Sequence, residues 1–122
     1  RRRKMSQFNL GSKAFVANEA VIEPYRRVKL TTGSGTLVEY ADAGDAFIGV
    51  SAARALTGEM VSIDLKHTGR SFKMEANGAI AIGGSFYGAL DGKISATVSG
   101  SIQGRNLEAT AADGEIVECI LL

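Results

Sequence analysis

Several residue types are scarce in this 122-residue chain. There is one cysteine, one proline, one histidine and no tryptophan, and aromatics make up 7% of the residues. A lone Cys119 excludes an internal disulfide and a cysteine-built zinc site. On the apolar side of the last strand it reads as a small buried hydrophobe. A single His67, beside Lys66 and Gly69, sits in a turn and reads as a solvated side chain. No nucleophile-elbow sequence accompanies it, so a Ser-His-Asp triad has no foundation. No run approaches the ~18 apolar residues of a membrane helix. The charged start is not followed by the apolar stretch of a signal peptide, so synthesis in a cytoplasm is expected.

Glycine is the opposite case, with 15 residues in 122. Without a collagen period, that share points to many turns between short strands. Few aromatics leave the core to Val, Ile, Leu and Ala. Such a core is thin, and association with further copies or a partner is expected.

Charge is unevenly spread. Residues 1–30 hold eight Lys or Arg and two Glu, whereas residues 31–122 hold six Lys or Arg and eleven Asp or Glu. A basic leading segment therefore precedes an acidic body. Arg1, Arg2, Arg3 and Lys4 stand just before Met5, which could be the natural start. With Arg26 and Arg27 they are the only basis for nucleic-acid binding, and Tyr25 is the sole nearby stacking ring. Nucleic acid is not the expected partner.

The most informative feature is an internal repeat. Residues 53–65 align without a gap on residues 109–121. Ala53/Ala109, Ala55/Ala111, Gly58/Gly114, Glu59/Glu115, Val61/Val117 and Leu65/Leu121 are identical. One inserted residue extends the match upstream, placing Phe47-Ile48-Gly49 on Ile102-Gln103-Gly104. In each copy a glycine corner precedes an alternating strand. Val61, Ile63 and Leu65 face one way, as do Val117, Cys119 and Leu121, which is the pattern of a half-buried strand. Gly49, Gly58, Gly104 and Gly114 are read as structural corners. Glu59 and Glu115 recur at the same corner, so a shared task such as bonding local amides is expected before acid–base chemistry.

Strands and turns recur every 8–12 residues, as in an antiparallel barrel or sandwich. In residues 26–30, Val28 and Leu30 are expected inward and the charges outward. Residues 51–56 favour one or two helical turns. Phe72, Met74 and Ala76 share a face, and Asn77-Gly78 predicts a hairpin into residues 79–82. Residues 1–19 offer no helical face and read as an extended arm, with residues 20–122 as one β domain. Within the arm Phe8, Leu10, Phe15 and Val16 are apolar anchors, with Lys13 among them. Such an arm can add to the sheet edge of a neighbour. Asp42 and Asp45 lack the ligand series of a calcium loop. Residues 33–36 lack the Gly-Lys-Ser/Thr ending of a phosphate loop. No cofactor is implied.

The string from Phe47-Ile48-Gly49-Val50 through Ala55-Leu56-Thr57-Gly58-Glu59-Met60-Val61, with the ending 107–118, resembles the bacteriophage capsid decoration, or head cement, proteins. The resemblance spans roughly residues 14–122. It implies a small all-β, tulip-like domain that is not an enzyme. It further implies a homotrimer on the exterior of an icosahedral head, clamping neighbouring major capsid protein subunits through the N-terminal arm. Other phage structural modules of tail, baseplate or surface adhesion remain the alternative.

Overall fold

The computed structural model describes residues 11–122. Twelve strands are present: β1 (Ser12–Ala17), β2 (Val21–Ile22), β3 (Arg27–Leu30), β4 (Leu37–Tyr40), β5 (Gly49–Ser51), β6 (Ala55–Leu56), β7 (Met60–Leu65), β8 (Phe72–Glu75), β9 (Ser85–Gly88), β10 (Ile94–Ser95), β11 (Gly104–Asn106) and β12 (Ile116–Leu121). The only helical element among the described residues is a single 3-10 turn, Leu90–Gly92. The all-β expectation is met.

Strands β1, β4, β3, β5 and β7 close into a barrel, in that order. All its pairs are antiparallel except β1 with β4, which is parallel and departs from the purely antiparallel expectation. A second, five-stranded sheet runs β10-β9-β11-β12-β8. It is the same barrel left open. Phe15 opposite Val61 in the first unit becomes Met74 opposite Val117 in the second. Val28 opposite Gly49 becomes Phe86 opposite Gly104. Gly49 opposite Leu65 becomes Gly104 opposite Leu121. The parallel pair Ala17–Val38 survives as one bridge between Ala76 and Ile94, and Ile22–Ala55 survives as the bridge Ile80–Thr110, so Ala55 matches buried Thr110 and not Ala111, and the one-residue gap of the alignment falls after Ala55. The repeat therefore extends beyond the stretch visible in sequence to two whole units, about residues 12–65 and 72–121.

Each unit has its own core, and the positions correspond. Phe15, Ala17, Ile22, Val28, Val38, Val61 and Ile63 are buried in the first unit. Met74, Ala76, Ile80, Phe86, Ile94, Val117 and Cys119 take their places in the second. Ala41, Phe47 and Val50 of the first unit join this second core, stopping the open side of the sheet. The glycines explain the close strand approach. A Cβ on Gly49 would lie 2.3 Å from the Asp64 carbonyl oxygen, and one on Gly104 2.2 Å from that of Ile120. Both strands must carry glycine there.

Four expectations are corrected. Residues 12–17 of the expected arm form β1, because Phe15 and Ala17 alternate inward and are buried. Residues 51–56 are not helical. Their backbone pairs instead, with Ile22 opposite Ala55. Asn77-Gly78 does not make a hairpin, since Ile80 forms only an isolated bridge to Thr110. In β3 the expected facing fails at two residues, with Leu30 37% exposed and Arg27 fully buried.

Candidate functional site

Arg27 joins the two units. Val28 must face the first barrel, so the alternation of β3 turns Arg27 towards the second unit. Its Nη2 donates to the carbonyls of Ala41 and Ala89, both at 2.8 Å, and to Asp42 O at 3.4 Å. Its Nε donates to Lys93 O at 3.1 Å. Gly88 and Gly92 make the room: a Cβ on Gly88 would lie 2.8 Å from Nη1, and one on Gly92 2.5 Å from Arg27 O. Burial pushes the guanidinium down from its ordinary value to about 10, while Asp45 and Asp42 pull it back up. It remains charged at neutral pH.

Arg26 completes the join. Its Nε and Nη2 lie 3.1 and 3.2 Å from the two oxygens of Glu75. Lys93 also reaches Glu75, at 3.2 Å, and Asp113, at 3.1 Å. Those hydrogen bonds raise the Lys93 pKa against the pull of its partial burial. The basic pair considered for nucleic acid is thus spent on internal contacts, which removes it from that reading. On the opposite side Lys29 binds Asp45 at 2.9 Å, holding the Asp45 carboxyl below its ordinary value.

The expected site residues separate into three groups. Phe8 and Leu10 lie outside the described residues. Phe15 is in the barrel core and Val16 is half-buried beside Thr36, to whose carbonyl its N–H donates. Lys13 is half-buried on β1, opposite Ile63. No arm therefore extends past Gly11. Gly49 and Gly104 lie in strands β5 and β11 and are close-packing positions, not the corners expected, whereas the remaining corner residues recur as equivalents. Glu59 Oε1 accepts from Leu56 N at 2.8 Å, and Glu115 Oε1 accepts from Ala111 N at 2.6 Å and Ala112 N at 3.3 Å. Gly58 and Gly114 precede them at φ of 84° and 92°. These carboxylates tie down turns, as an acceptor beside bare amides should.

No group of three or more His, Cys, Asp or Glu that could hold a metal occurs among the described residues. Cys119 is buried, and burial raises its thiol to about 12. His67 is exposed in its turn. No described helix is long and apolar enough to cross a membrane.

What the surface does offer is apolar. Phe47 and Val50 of the first unit are buried against the second. Their counterparts, Ile102 and Arg105, face solvent, with Ile102 43% exposed. Ile120 sits opposite Arg105 and is also exposed, as are Leu107, Ile116 and Leu122. The face that the first unit uses inside the chain is bare on the second. Sequence reading missed this because Phe47 and Ile102 align as equals.

The same architecture occurs in a phage particle. The N base of the head fiber gp8.5 of bacteriophage phi29 superposes with a TM-score of 0.77, over 91% of this chain and 92% of that one. The two share 16% of their residues, so the likeness is one of fold. No family model and no curated protein sequence matches the chain.

Proposed function

We propose that this protein is a structural component of a bacteriophage virion, seated on the outside of the head and without enzymatic activity. The observation that carries this reading is the near full-length match to the base of a phage head fiber, over nine-tenths of both chains. The partner is the major capsid protein, and the role is to bridge neighbouring subunits.

Residues 1–10 carry the attachment. They precede Gly11, whose carbonyl accepts from Leu65 N. Fully extended, ten residues reach ~35 Å. Phe8 and Leu10 are the anchors, and Arg1 to Lys4 supply charge. Phe15 and Val16 act only by holding β1 in the barrel. The chain forms a homotrimer through the bare face of Ile102, Leu107, Ile116 and Ile120. These side chains form an exposed apolar patch of the kind that marks an interface between copies.

Cosedimentation with emptied phage heads tests the reading. The full chain is expected to pellet with heads and to appear at discrete external sites by electron microscopy. A chain lacking residues 1–10 is expected to keep its fold, because β1 starts at Ser12, and to lose attachment. Full occupancy by the truncated chain would overturn the role of the segment. Failure of the full chain to bind heads would overturn the virion role.

A further inference from the structure

A second recognition site lies where the two units meet. A cleft of about 240 Å³ opens between β5 and β7 of the first unit and β8 and β12 of the second. Tyr25, Asp64, Arg70, Ser71, Lys73 and Glu118 line it.

Tyr25 is the unusual member. Its φ is +66°, a region that residues with a Cβ avoid. Two hydrogen bonds hold it there, one to each unit. Its N–H donates to Ser51 O and its carbonyl accepts from Glu75 N, both at 2.9 Å. A glycine would satisfy this backbone without strain. The chain uses a large aromatic ring instead, and sets it in the cleft wall. Residues held in such conformations cluster at binding sites.

The charges around it balance. Asp64 and Glu118 oppose Arg70 and Lys73. Arg70 pairs with Asp64 at 3.5 Å and lies over the Phe72 ring. Ser71 Oγ donates to Glu118 at 2.5 Å. The Lys73 ammonium and the Tyr25 hydroxyl have no partner among the described residues. A cleft with two fixed charges of each sign gives no net attraction to a phosphate or a polycation. It offers paired donors and acceptors to a neutral polyol, whose adjacent hydroxyls can donate to a carboxylate and accept from a cation. An aromatic face complements the apolar side of a sugar ring. The volume lies below the ~300–1,000 Å³ of drug-sized pockets, which suits one ring.

We propose that the cleft between the two units, with Tyr25 as its stacking platform, binds a single neutral sugar ring. This does not depend on attachment to a head.

The test is amide-resolved NMR on the full chain, titrated separately with glucose, galactose and N-acetylglucosamine. At least one is expected to shift the Tyr25, Ser71 and Lys73 amides saturably, with a dissociation constant on the order of 1 mM. Inorganic phosphate and glucuronate are expected to leave those amides in place. Tyr25→Phe, which keeps the ring, should bind within a few-fold of the parent. Tyr25→Gly should lose at least tenfold in affinity while the amides of both cores stay where they were. No saturable shift with any of the three sugars would overturn the proposal. So would unchanged binding by Tyr25→Gly, or phosphate moving the same amides as strongly as a sugar.

Discussion

Replacing Arg27 with alanine should separate the stability of the two units. The side chain donates four hydrogen bonds to carbonyl oxygens, and those to Ala41 and Ala89 are buried and 2.8 Å long. A buried acceptor left without its donor costs about 1–3 kcal/mol; Ala41 O keeps the Gly92 amide at 3.0 Å, so that cost falls on Ala89 O, and the cavity left by so large a side chain adds about 2–5 kcal/mol. Removing the side chain also relieves the desolvation of a buried cation, visible in its lowered pKa and in Nη1, which lacks a partner. That relief offsets part of the loss. A net destabilisation of about 3–5 kcal/mol is expected from the bared carbonyl and the cavity together. Urea unfolding followed by circular dichroism reads it as a fall in midpoint of about 1–3 M. Hydrogen exchange reads where the loss falls. The second unit is open and stopped by Ala41, Phe47 and Val50, so amides of Phe86 and Val117 should lose more protection than those of Val28 and Val61. A loss below about 1 kcal/mol, or equal deprotection of both units, would refute the latch.

Gly49→Ala and Gly104→Ala should each cost about 2–4 kcal/mol in thermal or urea unfolding, because the new Cβ meets a backbone oxygen that cannot move away. Gly114→Ala meets open space and pays only the strain of φ 92°, about 1 kcal/mol. Cys119 should resist alkylation at pH 8 in the folded protein and react on unfolding, since its thiol titrates near 12. The same raised pKa has a definite sign: the folded state holds the proton longer, so this contribution is present below pH 9 and is lost as pH rises from 9 towards 12. A fast native reaction with iodoacetamide would contradict it. Ile120→Glu should convert the proposed trimer to monomer in analytical ultracentrifugation without unfolding the chain, because the side chain is exposed on β12. A persisting trimer would remove this face from the interface.

The sequence carried the strand alternation, the two glycine corners and the tasks of Glu59 and Glu115. These are local: a turn, the amides beside it and a period of two are all written within a dozen residues. Alternation also placed Val61, Ile63, Val117 and Cys119 inward correctly. The first halves of the units were hidden, because Phe15 and Met74, or Val28 and Phe86, keep burial and volume but not identity. Core packing asks only for an apolar group of about the right size. The fate of Arg27 could not be read at all. A cation between Arg26 and Val28 looks solvent-facing unless one knows that carbonyls from residues 41, 89 and 93 converge on it. The cleft beside Tyr25 has the same origin, since its walls come from residues as far apart in the chain as Tyr25 and Glu118. Short-range pattern set what each strand is. Only the docking of one unit into the open side of the other decided which charges are buried, which apolar face is left bare and where a ligand can sit.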